Sequence, residues 1–168
     1  PAASQATKPG RFEFEVESEL LSSFRRGGAE RPAYESIVGS GPNATILHYR
    51  KNDRQLGEGE LLLIDAGCEY GYYASDVTRT FPVSGRFSEA QRLVYDVVLD
   101  AQRVAIEAVR PGVTIDDIHD LTVTKLVEGM CRIGLLEGPP AARIEDGAYK
   151  ALYMHRTSHW LGMDVHDV

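Results

Sequence analysis

The sequence has few cysteines, no excess of basic residues and no long apolar run, and each shortage excludes a class of protein. Two cysteines in 168 residues, Cys68 and Cys131, are too few for a disulfide scaffold. A net charge of −7 provides no basic patch of the kind that nucleic-acid binding requires. No apolar run reaches the roughly 18–20 residues of a membrane-spanning helix. The 43% apolar and 26% charged residues are typical of a soluble globular protein.

The two ends of the chain also carry information. The first ten residues have no apolar segment like that of a signal peptide, so we expect a cytoplasmic location. A length of 168 residues suits one domain that buries roughly 68–70% of its unfolded surface. The chain begins at Pro1 rather than Met and stops at Val168 directly after a strand-like run. We therefore expect a piece of a longer protein.

Two aspartates flank the centre of a predicted β-hairpin. Asp65 ends one apolar, β-branched run and Asp76 begins the next, and both runs predict strands. If the chain reverses between Tyr70 and Gly71, Asp65 and Asp76 are direct cross-strand partners, with Cβ atoms about 4.5–5.5 Å apart. Two like charges at that distance repel each other. A bound cation is the simplest way to offset the repulsion.

Hydrophobic periodicity and capping patterns predict three helices and a further pair of strands. The helices are expected from about Arg11 to Gly27, from Ser88 to Pro111 and from Thr114 to Gly134, and the strand pair over Ser36–Tyr49 with a turn at Gly41–Asn43. His119 lies in the third predicted helix beside three aspartates, and we expect it to be solvated.

Three of the five histidines, His155, His159 and His166, lie close together near the end of the chain. Two carboxylates with an imidazole suit Mn, Fe, Co or Zn better than Ca or Mg. Three protein ligands would leave positions open for water, as a catalytic site requires. Paired carboxylates also serve glycoside hydrolases, but directly opposed aspartates are close for that chemistry, which gives the histidines no role. Ser158 and His159 are adjacent on a strand-like run, so they face opposite ways and form a poor catalytic dyad.

Four stretches of the chain resemble one family of metallopeptidases. They are Ile37–Gly41 leading to Ile46–Tyr49, Leu63–Tyr70, Asp76–Val83 and Ser158–Val168. Together they are similar to the pita-bread-fold metallopeptidases, and among these to the Xaa-Pro aminopeptidase (aminopeptidase P) family. The resemblance runs from about Arg11 to the end. It implies an α+β fold with a curved antiparallel sheet and two long helices on its outer face.

The resemblance also implies a metal centre. The family binds two divalent ions, usually manganese, through five ligands, and Asp65, Asp76 and His159 match the first three. Two glutamates that follow the histidine motif in the family lie beyond Val168. We therefore expect residues 1–168 to be part of a catalytic domain, without the family's N-terminal domain or the last part of the catalytic domain. Its metal site is expected to be partial or empty, and the piece alone inactive.

Further residues match positions on the substrate side of the family's site. His166 matches a histidine that hydrogen-bonds the reacting carbonyl as negative charge develops there, and His48 and His155 match groups that line the pocket near the leaving proline. Tyr34 matches a tyrosine that hydrogen-bonds a ligand carboxylate. Thr78 lies two residues after Asp76, on the same strand face, and is expected to do similar work.

The implied activity is that of a hydrolase, a metalloprotease that removes the N-terminal residue from peptides with proline second. A hydroxide held by the metals would attack the scissile carbonyl. Prolidase, creatinase and methionine aminopeptidase share the scaffold, but the run from His159 to Val168 favours aminopeptidase P. A non-catalytic pita-bread binding module is the other alternative. The expected partner is a peptide, with no nucleic acid and no membrane, and a homo-oligomer is compatible with the sequence.

Overall fold

The computed structural model describes residues 2–168 and separates into two compact units. The first unit contains the residues up to Phe87 together with Trp160–Val168, and the second contains Ser88–His159. All the β-sheet lies in the first unit, and the two longest helices lie in the second. Between residues 2 and 168, no helix combines the length and the apolar character that crossing a membrane demands.

The first unit combines two helices with two antiparallel three-stranded sheets. Its elements are α1 (Ala2–Ala6), α2 (Glu13–Arg26), β1 (Arg31–Pro32), β2 (Ile37–Ser40), a 3₁₀ helix (Gly41–Thr45), β3 (Leu61–Ala66), β4 (Cys68–Tyr70), β5 (Tyr73–Ala74) and β6 (Val77–Pro82). One sheet has the strand order β1-β4-β5 and the other has the order β2-β3-β6. The predicted strands that carry the aspartates are therefore confirmed as neighbours.

A tight turn fixes how the hairpin strands are paired. Gly71 and Tyr72 both have positive φ, 57° and 70°, as the two central residues of a type I′ turn do. Tyr70 therefore pairs with Tyr73, and Asp65 pairs with Thr78 further along the same hairpin. The predicted reversal between Tyr70 and Gly71 is wrong by one position. The pairing shifts by two residues, which leaves each side chain on its expected face.

The first unit has its core between α2 and the β2-β3-β6 sheet. Along β3, Leu62, Ile64 and Ala66 are buried, and they pack with Val16 of α2 in one cluster. Burying a side chain such as Leu62 stabilises the fold by about 1.5–3 kcal/mol. Because successive strand residues face opposite ways, this pattern places Asp65 on the sheet face away from α2.

The second strand expected within Ser36–Tyr49 is absent from the structure of that segment. After β2 the chain forms the 3₁₀ helix and then a turn. The side chain of Asn52 makes the hydrogen bonds that a neighbouring strand would make. Its Oδ1 accepts from the Val38 amide at 2.9 Å, and its Nδ2 donates to the Ser36 carbonyl at 2.9 Å. A side-chain amide thus satisfies buried backbone groups of β2 without a ladder.

Helix α2 is present, but the two aromatic residues at its start lie outside the core. Phe12 and Phe14 are 37% and 49% exposed and stack on each other with ring centroids 5.1 Å apart. Glu13 is instead fully buried. The helix begins at Glu13, two residues later than predicted, and α1 was not predicted at all.

The second unit is helical. It contains α3 (Glu89–Ala108), α4 (Ile115–Arg132), α5 (Pro140–Glu145) and a 3₁₀ helix (Ala148–Ala151). Both predicted starts are confirmed, because Ser88 accepts from the Gln91 amide and Thr114 accepts from the Asp117 amide. Its core joins the two long helices through buried residues Val97, Ala101, Leu126 and Met130.

Candidate metal-binding site

One tyrosine hydroxyl holds the two aspartates together. The Tyr34 oxygen lies 2.5 Å from Oδ1 of Asp65 and 2.8 Å from Oδ1 of Asp76. All three side chains are half-buried. Since a hydroxyl carries a single proton, it donates to one carboxylate oxygen at a time. The contact therefore draws two acidic groups to one point, and this geometry is the main observation at the site.

The sheet register explains how the two carboxylates meet. Asp65 lies in the central strand, opposite Ile37 of β2 on one side and Thr78 of β6 on the other. Asp76 comes two residues before Thr78, so it lies diagonally across from Asp65. The prediction that both carboxylates occupy one face is confirmed by their shared contact with Tyr34. The prediction that they are directly opposed is wrong, because the turn shifts the pairing.

Gly67 allows the chain before Asp76 to approach β3 closely. A Cβ atom at position 67 would lie 1.6 Å from the Ser75 carbonyl oxygen, which no side chain tolerates. Ser75 is held there by bonds to Cys68: its amide donates to the Cys68 carbonyl at 3.0 Å, and its hydroxyl accepts from the Cys68 amide at 2.8 Å. Glycine at this position therefore helps to place Asp76 beside Asp65.

Burial and the two acids keep the Tyr34 phenol protonated. Burial is the largest cause that raises its pKa above the ordinary value, followed by the hydrogen bond to Asp65 and then the one to Asp76. An intact O–H group at neutral pH remains available as a donor. Tyr34 thus orients the carboxylates and does not add a third negative charge.

The donor set fits part of a divalent metal site. Two carboxylates on one face repel each other and attract a cation, and carboxylate oxygens ligate Mn and related divalent ions. Across residues 2–168, no three histidine, cysteine, aspartate or glutamate side chains form a group that could hold a metal ion. Asp65 and Asp76 therefore fit as part of a ligand set, and ligation by His159 stays a prediction.

The histidines predicted for the site are divided between the two units. His48 and His166 lie in the first unit, and His155 and His159 lie in the second. All four are exposed. His48 has a positive φ of 53°, an uncommon conformation for a residue other than glycine. The expected roles of these residues, and of Thr78, stay predictions.

The segment that carries His166 packs beside the hairpin. Trp160 and Asp167 form an isolated antiparallel bridge, with the Asp167 amide donating to the Trp160 carbonyl at 3.1 Å. The Ala74 amide at the end of β5 donates to the Gly162 carbonyl at 2.8 Å. The loop containing His166 is therefore attached to the strand that leads into Asp76.

The expectation that His119 is solvated is wrong. Its side chain is half-buried, its Nδ1 lies 3.0 Å from Oγ1 of Thr157, and its ring stacks on Tyr153 with centroids 6.0 Å apart. Arg156 also forms an ion pair with Asp116 in the first turn of α4. Helix α4 thus fixes the segment between His155 and His159 within the second unit.

A second acidic centre, at Glu13, was not predicted from the sequence. The signal was present, because Glu13, Val16, Leu20 and Phe24 share the helical spacing of one buried face. A charged residue in such a stripe needs hydrogen-bond partners inside the protein. Those partners come from distant positions, which helical periodicity does not reveal.

Sequence comparison identifies the class of protein. Residues 2–168 match the model of metallopeptidase family M24. Together with the antiparallel sheets and the carboxylate pair, this match shows that the chain belongs to that family. The family depends on divalent metal ions, in agreement with the acidic site.

Relatives within the family share one name. The chain is 51% identical over 166 residues to the Xaa-Pro aminopeptidase of Haemophilus influenzae and 46% identical to that of Escherichia coli, covering 99% of this chain in each case. It is also similar to the solved structure of Pseudomonas aeruginosa aminopeptidase PepP, with a TM-score of 0.97 and 53% identity over 99% of this chain.

A further solved structure, zinc-substituted Escherichia coli aminopeptidase P in complex with product, matches with a TM-score of 0.97 and 46% identity. The pita-bread fold of these proteins is therefore also the fold of this chain. The chain spans only 39% and 38% of the two curated relatives and 38% of each of these solved chains.

Proposed function

We propose that this chain is part of a metal-dependent aminopeptidase that removes the N-terminal residue from peptides with proline second. The observation that carries the proposal is the shared contact of Asp65 and Asp76 with the Tyr34 hydroxyl. The relatives named Xaa-Pro aminopeptidase support the substrate class, since they match almost the whole chain at 46–51% identity.

We propose that Asp65, Asp76 and His159 contribute to the binding of two divalent ions, preferably manganese. When bound, such ions supply Lewis acidity and lower the pKa of a water molecule. The zinc-substituted relative supports a site that accepts more than one divalent metal. The identity and number of the ions are tested by metal analysis of the complete protein after purification without added metal.

Other residues of the chain would then have separate roles in orienting the ligands and binding the substrate. Tyr34 keeps Asp65 and Asp76 in one orientation through its hydroxyl. His166 hydrogen-bonds the reacting carbonyl, where negative charge develops, so its contribution is electrostatic. His48 and His155 line the pocket for the proline side of the scissile bond.

The activity assay uses the complete protein and a short peptide series. We expect release of the first residue from a peptide with proline second, and much slower release from a matched peptide with alanine second. A chelator should abolish the activity, and Mn²⁺, Co²⁺ or Zn²⁺ added singly should restore it to different extents.

The alternatives predict other outcomes of the same assay. Cleavage only of dipeptides that end in proline would identify a prolidase. Release of N-terminal methionine without a need for proline would identify a methionine aminopeptidase, and turnover of creatine would identify a creatinase. Absence of any hydrolysis by metal-loaded protein would favour a binding module.

We also propose that residues 1–168 are part of a longer catalytic domain and do not hydrolyse such peptides at a useful rate alone. By the family resemblance, one of the two glutamates that follow the histidine motif would act as the general base, and loss of a general base by itself typically removes about 10²- to 10⁴-fold of rate. Turnover by the purified 168-residue chain comparable with that of the complete protein would refute this.

A cytoplasmic location and a homo-oligomer are further proposals. Cell fractionation tests the location, and light scattering tests the oligomeric state.

A further inference from the structure

Glu13 is a buried acid with an unusually complete set of hydrogen-bond donors. Its side chain is fully buried at the start of α2. Oε1 accepts from the amide and hydroxyl of Ser40 at 2.6 and 2.7 Å, and from Nδ2 of Asn43 at 3.2 Å. Oε2 accepts from the Tyr49 hydroxyl at 2.7 Å and from the Arg54 amide at 3.0 Å. Each of its two oxygens thus has at least two donors.

These donors all come from one irregular segment. Ser40 lies where the segment leaves β2, Tyr49 lies near its middle, and Arg54 lies near its end. The only regular element in between is the five-residue 3₁₀ helix. Without a strand ladder, the path of the segment depends on side-chain contacts. Glu13 contacts it at its beginning, middle and end, and therefore defines that path.

His48 lies next to the central anchor of this segment. It directly precedes Tyr49, and its backbone has a φ of 53°. Residues other than glycine keep a positive φ only when the surrounding structure enforces it. Tyr49 is buried, its hydroxyl donates to Glu13, and it also accepts from Nδ2 of Asn43 at 2.9 Å. Tyr49, the residue directly after His48, is thus held in place by hydrogen bonds to two different side chains.

The network extends to an ion pair that closes the segment. Nη1 of Arg54 donates to the Ser40 hydroxyl at 3.0 Å, and the same guanidinium binds Glu60 through contacts of 2.6 and 2.7 Å. Burial and then the bond to Glu13 raise the pKa of Tyr49, so its O–H remains a donor at neutral pH. The Tyr49 hydroxyl therefore keeps its proton across the physiological pH range.

We infer that Glu13 is a positioning residue that fixes His48 for its role beside the substrate. The inference rests on the proposed function, because that function gives His48 its place in the pocket. Glu13 itself touches no reacting atom in this arrangement. Its effect on catalysis must pass through the segment between Ser40 and Arg54.

The test is a double-mutant cycle in the complete protein with Glu13→Gln and His48→Ala. Glutamine conserves the volume but turns one carboxylate oxygen into an NH₂ group, so at least two donors lose their acceptor. We expect Glu13→Gln to lower kcat/KM by about 10- to 100-fold, as misplacement of a group in the site does. In the His48→Ala background the same substitution should have almost no further effect.

A matched control lies two residues away. Glu15 accepts from the Phe12 amide at 2.7 Å at the start of the same helix, and glutamine conserves that capping role. Glu15→Gln should leave kcat/KM within twofold of the unsubstituted protein. Equal losses from Glu13→Gln with and without His48 would overturn the inference, because a purely structural role lowers both activities alike.

Hydrogen exchange supplies a readout that does not depend on activity. Glu13→Gln should speed amide exchange in residues 41–54 more than in β3, and Tyr49→Phe should do the same more weakly. Unchanged exchange in that segment, or a uniform rise across the first unit, would overturn the inference. An unsubstituted protein that cleaves no peptide would refute the proposed function, while the exchange result still decides whether Glu13 holds the segment.

Discussion

Glu13 and the Asp65–Asp76 pair lie in the same unit, yet their surroundings differ in kind. Glu13 is fully buried, and amide, hydroxyl and side-chain amide groups donate to both of its oxygens. Asp65 and Asp76 are half-buried, and one phenol hydroxyl contacts an oxygen of each. The first arrangement has several donors for one acid, whereas the second brings two acids to one proton.

The difference separates a structural acid from an acid suited to a ligand. A carboxylate surrounded by donors has its charge stabilised by the protein and gains little from a cation. Two carboxylates at one point repel each other, and a divalent ion offsets that repulsion while using their oxygens as ligands. Removing charge should therefore have opposite effects on stability at the two centres.

The largest effect is expected from Asp76→Asn in the complete protein. Loss of one carboxylate should reduce kcat/KM by more than 100-fold, or about 2.7 kcal/mol, since even the outer partners of metal ligands cost about 10- to 100-fold. Because the repulsion with Asp65 is also relieved, the metal-free protein should not be less stable. Steady-state kinetics and urea unfolding measure these two quantities, and isothermal titration should show that the affinity for Mn²⁺ falls as well.

Asp120→Asn on the exposed side of α4 is the control for charge alone, and it should change neither metal affinity nor activity. Unchanged Mn²⁺ affinity in Asp76→Asn would remove this residue from the ligand set. A less stable metal-free Asp76→Asn protein would mean that the pair is a structural feature like Glu13.

The next effect is the stability cost of Glu13→Gln. The amide NH₂ group faces donors on whichever side it lies, and each buried donor without an acceptor costs about 1–3 kcal/mol. Partial rearrangement should leave a net loss of about 2 kcal/mol in the free energy of unfolding, measured with urea in the metal-free protein. Glu15→Gln should cost less than about 0.5 kcal/mol. Equal costs for the two variants would show that the donors around Glu13 do not stabilise the fold.

The sequence was sufficient to predict the three long helices, the strands beside the two acids and the face on which those acids lie. Hydrophobic periodicity and the capping boxes at Ser88 and Thr114 located α3 and α4, because these signals depend on residues only a few positions apart in the sequence. Strand alternation placed Asp65 and Asp76 on one face, and the match to the family supplied Tyr34.

Two features could not be predicted, for different physical reasons. The register depends on a Gly71-Tyr72 turn, and a tyrosine with positive φ is not among the residues that favour a type I′ turn. Burial of Glu13 depends on donors 27 to 41 positions further along the chain. Neither local propensity nor helical spacing contains that long-range information, which comes only with the folded backbone.

A moderate effect is expected from Glu60→Gln, since Glu60 is an acid of intermediate burial. Its side chain is 26% exposed, and Arg54 binds both of its oxygens at 2.6 and 2.7 Å. The bond from Arg54 is the main cause that lowers the pKa of Glu60 below its ordinary 4.5. Its loss should cost about 1 kcal/mol at pH 7, close to that of a charge-assisted hydrogen bond at a partly exposed site.

The pH dependence of the Glu60 contribution has a definite sign. A carboxyl with a lowered folded pKa contributes stability that is fully present above its unfolded pKa and is lost as the pH falls through the folded pKa. The difference between Glu60→Gln and the unsubstituted protein should therefore be constant near neutral pH and shrink below pH 4.5. Urea unfolding at pH 7 and pH 4 checks this, and a difference that grows in acid would contradict the assignment.

The smallest effect is expected from Asp117→Asn at the start of α4. Because Asp117 has two donors but is exposed, this variant tests whether burial or the number of donors sets the energetic importance of an acid. Asp117 accepts from the amide and hydroxyl of Thr114 at 2.8 and 2.7 Å, and these bonds lower its pKa below the ordinary 3.8, the hydroxyl more than the amide. Its side chain is in water, however, so asparagine or solvent replaces the lost interaction. The loss in unfolding free energy should be smaller than for Glu60→Gln, and its pH-dependent part should disappear as the pH falls below 3.8.

Amide exchange in the first turn of α4, measured together with urea unfolding, gives the local effect of Asp117→Asn. If Asp117→Asn cost as much as Glu13→Gln, donors alone would set the energetic importance of an acid, and the contrast between the buried and the exposed carboxylates would fail.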